Sequence, residues 1–317
     1  CEIGATLETG LCHWADEALE QGATVILPHF GGLTGECVAL IATGRAQGLE
    51  FIYLKESQHK DYYKALNAGY RMPLVGGTDK MSSDVPVGMF RTYAKLEEGQ
   101  EFNYDNWCKA VTKGKTFLTS GPIIDFKVNG FDIGDTLNFD DQTQVNVEAT
   151  AESIFPIRRL DIVLNGEVVF SEISEKPVNK IEISTKINVD RCSWIAVRCG
   201  GKEYWSDGNF SSSNKAVLRP MNDSHYDGQR KGIFAHSSPI YISFNGETQM
   251  FDEDVIKEMI AVLDADLLYL REISPQQDDG VTTHRHGMKD HLEFLSKPFL
   301  EAKQNLRKRL AERGILS

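Results

Sequence analysis

A histidine and an aspartate each follow an apolar segment of this sequence, and both are residue types that bind divalent metals. His29 comes shortly after the run 23–27, and Asp79 follows the run 72–75 and two glycines. Imidazole and carboxylate groups are the usual protein ligands of zinc, iron and manganese. Since the carboxyl ends of parallel strands share one edge of a sheet, the two side chains are predicted to converge there. A structural role for His29 is the competing interpretation.

The elements that must position these residues alternate between strand and helix over the first 120 residues. Continuous apolar runs predict buried strands at 23–27, 49–54 and 72–75. Helical spacing, often closed by a glycine, predicts helices at 13–21, 36–47, 58–67 and 105–113. This alternation is typical of a parallel α/β sheet or barrel.

The remaining sequence changes character twice. Two Asn-Gly pairs, at 129–130 and 165–166, predict hairpins, and further strands are predicted near 143–151, 180–187, 193–199 and 239–244. This spacing favours an antiparallel β-sandwich. Beyond it, Asp252 is placed to cap a helix, and a second long helix is predicted to end near Arg313. We therefore predict an α/β domain over 1–121, a β-sandwich over 122–245 and a helical segment over 246–317.

Composition excludes several classes of protein. The 317 residues are 41% apolar and carry a net charge of −12, so general nucleic-acid binding and wholesale disorder are not expected. No apolar run approaches the length of a membrane span, and no membrane partner is expected. The six cysteines form no CxxC pair, which argues against a zinc ribbon. P-loop, Rossmann and GxSxG motifs do not occur in the sequence.

Several motifs resemble the CehA/McbA family of metallohydrolases, within the polymerase-and-histidinol-phosphatase (PHP) superfamily. They are LPHFGG, YYKALNAGYRMPLVGGTD, VGMFRTY and W…AVTKGKTFLTSGPIIDFKVNG…GD, with WIAVRC and AHSSPIYI further on. The resemblance spans residues 20–245. It implies the C-terminal half of a distorted PHP-type (β/α) barrel, then an antiparallel β-sandwich and C-terminal helices. It also implies several bound divalent metal ions (Zn, Mn or Fe).

The resemblance makes His29 and Asp79 metal ligands, but the sequence departs from the pattern in two places. Met81 stands where an Asp-x-His motif would have its histidine, and a thioether is a poor ligand for a hard metal. No His-x-His motif precedes His29, where the superfamily carries one. Either the N-terminal half of the barrel lies outside this sequence, or the chain is a degenerate relative. The start at Cys1 rather than at a methionine favours the first interpretation.

Three further sites are predicted with their alternatives. Arg91 is the candidate catalytic residue, expected to bind an anionic substrate group, and the competing interpretation is an ion pair that anchors its loop. His236 is expected just before a strand, either behind the metal ligands or closing a sandwich loop. His59 and His225 are expected in surface loops.

A second histidine group lies near the C-terminus. His284, His286 and His291 could together bind a metal. Because they fall beyond the sandwich, in a polar loop that opens a helix, we expect them at the surface or between domains instead.

The preferred function is a metal-dependent hydrolase that acts on an ester, carbamate or phosphoester bond of a small-molecule substrate. Its site would be incomplete without a missing N-terminal segment of the same protein. The alternative is a non-catalytic binding protein with a decayed barrel remnant. A carbohydrate-binding sandwich is a weaker third idea, because Trp194 and Trp205 are expected in or near the core. The expected location is cytoplasmic, or secreted or periplasmic if a signal precedes this sequence.

Overall fold

The computed structural model describes residues 10–51, 56–80, 87–200, 233–272 and 291–315. Its helices are α1 (Leu11–Glu20), α2 (Glu36–Ala42), α3 (Glu56–Asn67), α4 (Tyr104–Thr112), α5 (Glu253–Glu272) and α6 (His291–Glu312). Its strands are β1 (Leu49–Phe51), β2 (Leu74–Gly76), β3 (Arg91–Ala94), β4 (Thr116–Thr119), β5 (Ile123–Val128), β6 (Phe131–Asp132), β7 (Thr136–Phe139), β8 (Thr143–Leu164), β9 (Glu167–Val189), β10 (Ser193–Gly200), β11 (Phe234–Ser237) and β12 (Ile240–Phe244). Among the helices of these ranges, none combines the length and the apolar composition needed to cross a bilayer.

The chain divides into two compact units that differ from the three predicted segments. The first takes the described residues of Cys1–Leu27, Gly31–Gln47 and Phe251–Ser317, and the second takes those of Pro28–Phe30 and Gly48–Met250. Strands β3 and β4 precede residue 122, yet they pair within the same sheet as later strands. The three-domain division stays a prediction.

The first unit is helical and is held together by buried and half-buried polar contacts. Arg45 binds both carboxylate oxygens of Asp16 on α1, at 2.7 and 3.0 Å, and also Glu301 on α6 at 3.0 Å. The buried carboxylate of Glu36 accepts a hydrogen bond from the backbone N–H of Cys12 in the first turn of α1, at 2.7 Å. A carboxylate at this end of a helix is stabilised by the helix dipole. As predicted, Asp252 caps α5, because its Oδ1 accepts from the N–H of Val255.

A half-buried aspartate on α5 gives a first testable prediction. Burial, with the charge of Glu36 as a second cause, raises the pKa of Asp266 to about 6. The folded state therefore holds this proton more tightly than the unfolded chain, and the stability it contributes is lost as the pH rises from about 4 to 6. Asp266→Asn should raise the free energy of unfolding at pH 7 by about 1 kcal/mol. This is less than the full pKa shift would give, because the side chain is partly exposed to solvent.

Urea unfolding followed by circular dichroism at pH 7 and pH 4 measures this effect. The gain should be present at pH 7 and absent at pH 4. Asp254→Asn, at an exposed position of the same helix, is the matched control. An equal gain at both pH values would show that the titration of Asp266 is not its origin.

The second unit is built on two sheets. Strands β1 and β2 pair in parallel, with Leu49 opposite Leu74. The larger sheet has the order β3-β4-β11-β10-β8-β5-β6, with β9 beside β8, and β12 joining β10 to β7. Its pairs are antiparallel except for β12 with β7. The sheet curls into a half-barrel, so the chain is mixed α/β, with an antiparallel half-barrel sheet and helices.

Alternating apolar residues of β5, β8, β9 and β10 form one core of this sheet, as the period of two along each strand predicts. The two predicted Asn-Gly turns are confirmed. Asn129 and Asn165 have φ of 49° and 53°, and the glycines after them are also positive, at 82° and 96°. These are the dihedral signs of the tight hairpin turn that Asn-Gly favours.

The predicted first strand, over 23–27, is wrong. Residues 23–26 have no regular secondary structure. The backbone of Val25 bonds instead to Gln47, accepting from its N–H at 2.8 Å and donating to its Oε1 at 3.0 Å. The backbone N–H and carbonyl of Val25 are therefore both bonded to one residue, Gln47, and not to a neighbouring strand. His29 accordingly lies in a turn after a single β-bridge residue, Leu27, and not at the end of a strand.

Candidate functional site

The structure brings His29 and Asp79 together, although 50 positions separate them in sequence. Nε2 of His29 lies 3.6 Å from Oδ1 of Asp79, and their side chains are 57% and 19% exposed. His29 precedes Phe30, whose N–H donates to the carbonyl of Glu50 on β1, while Asp79 follows β2. Because β1 and β2 are paired in parallel, both residues lie at one edge of this two-stranded sheet.

Backbone conformation singles out the same two residues. Among the described non-glycine residues, five have positive φ, and three of these are asparagines that directly precede a glycine. The other two are His29, at 50°, and Asp79, at 48°. Left-handed conformations of such residues cost about 1 kcal/mol or more and are concentrated at functional sites. The strain at both candidate ligands supports a functional role for this edge.

Glu50, which the sequence analysis did not select, lies beside this pair. Its Oε2 accepts a hydrogen bond from the backbone N–H of His29 at 3.1 Å. A Cβ added to Gly77 would come within 1.8 Å of Oε1 of Glu50, so a larger residue there would require this carboxylate to move. The glycine before Thr78 and Asp79 therefore lets the chain approach a carboxylate closely. Glu50 therefore bonds to the backbone of His29 and lies against Gly77, two residues before Asp79.

The guanidinium group of Arg91 is used within its own loop. Its Nη1 donates to the carbonyl of Gly88 at 3.0 Å, and its Nε donates to the hydroxyl of Tyr93 at 3.3 Å. Thr78 ties this loop to the Asp79 segment, because its hydroxyl accepts from the N–H of Gly88 and donates to the carbonyl of Phe90, both at 3.0 Å. These contacts fit the anchoring interpretation of Arg91, and its binding to a substrate stays a prediction.

A second group of polar residues lies in a row across three neighbouring strands. Asp161 on β8 is opposite Arg198 on β10, and Arg198 is in turn opposite His236 on β11. All three are buried, with exposed fractions of 1%, 6% and 0%. Oδ2 of Asp161 accepts from Nε of Arg198 at 3.2 Å, and Oδ1 accepts from Nε of Arg159 at 2.5 Å and from the hydroxyl of Ser171 at 2.7 Å.

The hydrogen bonds of His236 define its tautomer. Nδ1 lies 2.7 Å from the carbonyl oxygen of Ser237, which can only accept, so Nδ1 carries the proton. Nε2 must then accept from the hydroxyl of Tyr63 on α3, at 2.7 Å. That hydroxyl also accepts from Nη1 of Arg198 at 3.3 Å. A directed chain therefore runs from Arg198 through Tyr63 to His236. This residue lies in the short strand β11, just before the predicted strand that the structure shows as β12.

The expectation that His59 is a surface residue is wrong. His59 is 1% exposed, because the face of α3 that carries it packs against the sheet. Its ring stacks on His236 with centroids 5.6 Å apart and on Phe51 with centroids 4.8 Å apart. Burial lowers the pKa of His236 to about 3 and moves the pKa of His59 well below its usual value, with the charge of Arg198 acting in the same direction on both. Both imidazoles are therefore neutral at pH 7.

Polar residues from three elements line a cavity of about 500 Å³ next to this row. They are His59, Lys60, Tyr63, Lys64 and Asn67 on α3, residues 165–168 at the β8–β9 turn, and Arg198 on β10. His59, Tyr63 and Arg198 are buried, whereas Lys60, Glu167 and Val168 are exposed. The cavity thus has a buried polar floor and an exposed rim.

Two of the predicted C-terminal histidines, His284 and His286, lie outside the described residues, as do His225 and Met81. His291 is the first residue of α6. Within the described ranges, no group of three or more histidine, cysteine, aspartate or glutamate side chains has the arrangement of a metal site. Trp194 is fully buried, as expected for a core residue.

Comparison with known proteins adds no relative: no family model matches the chain, and no curated protein matches its sequence. The candidate sites therefore depend on the chain's own geometry. Arg198 was not predicted as a site residue, although one feature of the sequence pointed to it. It is a charged residue inside the apolar run WIAVRC. A charge within a strand that is buried on both faces requires a buried partner.

Proposed function

We propose that the chain is part of a metal-dependent hydrolase of PHP type, with His29 and Asp79 as ligands of a divalent metal ion. The observation that carries this proposal is their convergence: two metal-binding side chains, both in strained backbone conformations, lie 3.6 Å apart at one sheet edge. The motifs that resemble the CehA/McbA family support the same proposal. Its substrate would contain an ester, carbamate or phosphoester bond.

The residues present fit such a metal in part. Metal–ligand distances of about 2.0–2.2 Å put two neighbouring ligands of a tetrahedral zinc ion roughly 3.4 Å apart, close to the observed separation. A tight catalytic site usually has three or more protein ligands, and His29 and Asp79 supply two of them. We propose that the others come from a segment outside this sequence, where the resemblance implies a His-x-His motif.

The chain's own residues have separate roles in this proposal. A divalent metal bound here would lower the pKa of a water molecule and polarise the bond to be hydrolysed. Glu50 accepts a hydrogen bond from the backbone N–H of His29 and so fixes the position of this segment. Arg91 has N–H groups beyond the two that anchor its loop, and these can bind an anionic substrate group.

A non-catalytic binding protein is the second candidate. Met81 favours it, because a thioether stands where the resemblance expects a ligand. In that case the barrel strands and the strained edge would remain without the chemistry. Metal binding without hydrolysis, by a longer chain that carries an upstream His-x-His motif, would favour this candidate.

The proposal predicts that metal binding depends on both ligands. Co²⁺ titration followed by visible absorption, with metal content measured after dialysis, should show weak binding by this chain. His29→Ala and Asp79→Ala should each lower the affinity by about tenfold or more, since even residues that only support a ligand cost about that much. In a longer chain with an upstream His-x-His motif, binding should be tight, and both variants should also abolish hydrolysis of p-nitrophenyl acetate or p-nitrophenyl phosphate.

The control is His284→Ala combined with His286→Ala, which removes two imidazoles that we place outside the site. This double variant should keep the metal affinity of the parent chain. If it loses metal while His29→Ala keeps it, the C-terminal histidines form the metal centre and the proposed site is wrong.

A further inference from the structure

The cavity between α3 and the β8–β9 turn has the chemistry of an anion site. Its walls include three cationic side chains, Lys60, Lys64 and Arg198, and one carboxylate, Glu167. Asp161 and Asp61 lie beside Arg198 and Lys64, so an anion bound here would share these two cations with carboxylates already present. A volume of about 500 Å³ lies in the range of small-molecule sites.

Helical spacing explains how the cationic wall forms. Lys60 and Lys64 are four residues apart on α3, and so are His59 and Tyr63, so the two pairs form adjacent stripes of one helix. The buried stripe packs toward the sheet, while the lysine stripe reaches the rim. Lys64 also lies 3.6 Å from Asp61, but both side chains are more than a quarter exposed. An exposed pair of this kind contributes little and can exchange one partner for a ligand.

The floor of the cavity is held in one arrangement by buried contacts. Asp161 fixes Arg198 from behind, and the hydroxyl of Tyr63 is oriented because it donates to His236. At the other end, Asn67 accepts from the indole N–H of Trp194 at 2.7 Å and donates to the carbonyl of Asn165 at 3.1 Å. Donors that are positioned before binding reduce the entropy cost of binding a ligand.

We propose that this cavity binds a small organic anion through a phosphate or carboxylate group, with Lys60, Lys64 and Arg198 as its cationic contacts. Arginine presents several N–H groups in a plane that matches such oxyanions, and lysine adds charge at the rim. Asn67 and Asn165 shape one end of the cavity, because their side-chain amides are bonded to Trp194 and Ser193. This site does not involve the proposed metal ligands.

Isothermal titration calorimetry of the chain, freed of metal on a chelating resin, tests the proposal with no metal and no competing polycarboxylate in the buffer. The probes are inorganic phosphate, malonate and, as an uncharged comparison, glucose, all at constant ionic strength. We expect saturable binding of phosphate or malonate and none of glucose. The anion that binds more tightly distinguishes a phosphate ligand from a carboxylate ligand.

Lys60→Gln with Lys64→Gln should weaken binding of that anion by about tenfold or more, because two charge-assisted contacts are lost. Lys109→Gln with Lys113→Gln is the matched control, since it removes two exposed lysines at the same spacing, at the end of α4 in the same unit. It should change the affinity less than twofold. Equal affinities in both double variants, or no saturable binding of either anion, would overturn the proposal. These rim substitutions leave the buried network intact, so a folding defect does not decide the result.

Discussion

Asp161→Ala is expected to lower the free energy of unfolding by about 3–5 kcal/mol, the usual cost of removing one partner from a buried ion pair. Asp161 is 1% exposed and accepts hydrogen bonds from Arg198, Arg159 and Ser171. Without its carboxylate, the guanidinium of Arg198 remains buried and loses the charge that balances it. The loss should appear in urea unfolding as a lower midpoint with an unchanged slope.

Two comparisons separate this effect from a general weakening of strand β8. Glu152→Ala, on the same strand, removes an ion pair with Lys180 whose side chains are 61% and 50% exposed, and should cost under about 1 kcal/mol. Asp161→Leu combined with Arg198→Met should recover much of the loss, since well-packed apolar residues often replace a buried pair without cost. If Asp161→Ala costs no more than Glu152→Ala, the buried network does not contribute more to stability than an exposed ion pair.

The protein is also expected to lose stability steeply as the pH falls below 6.5. The folded state keeps His236 neutral, with a pKa of about 3 against 6.5 for a free imidazole, so it binds fewer protons than the unfolded chain. The stability that this difference contributes is present above pH 6.5 and is lost as the pH falls toward the folded pKa. From pH 7 to pH 5, His236 alone should remove about 2 kcal/mol, and His59 acts in the same direction.

The slope of unfolding free energy against pH is the measurement, rather than its value at any single pH. His236→Gln should flatten this slope between pH 5 and pH 7. Tyr63→Phe is the matched control, because it removes the same hydrogen bond but leaves the imidazole in place. It should lower stability at every pH and keep the slope. If His236→Gln and Tyr63→Phe have the same slope, the buried imidazole does not explain the acid sensitivity.

The two candidate sites lie close together along a set of packed aromatic rings. Phe30, the residue after His29, has its ring centroid 5.7 Å from that of Phe51, and Phe51 stacks on His59 in the cavity floor. Gln58, next to His59, donates to the carbonyl of Phe30 at 2.6 Å. Substitutions at Phe51 would therefore affect both sites. Substitutions at His29, Asp79, Lys60 and Lys64 leave Phe51 in place, so metal binding and anion binding can be tested independently.

Local chemistry explains why parts of the fold could be predicted from sequence. The Asn-Gly turns at 129–130 and 165–166 are confirmed, because positive φ at two successive positions is a property of those residues themselves. Helices α3, α4, α5 and α6 lie close to their predicted positions, since their apolar spacing is a short-range pattern. The apolar run 23–27 was predicted wrongly, because a strand also needs a partner, and the contact that Val25 makes is with Gln47.

The sequence by itself determined which residue types could bind a metal, and it selected His29 and Asp79 from their position after apolar runs. Only the tertiary structure decided that their side chains approach within 3.6 Å and that Glu50 lies against both segments, because parallel pairing of β1 and β2 joins distant parts of the chain. The row of Asp161, Arg198 and His236 has no signature in sequence spacing, since strand register alone aligns it. Burial likewise decided the protonation state of His59, which the sequence alone places at the surface. Once α3 packs against the sheet, the imidazole is neutral, because a charge there would lose its hydration.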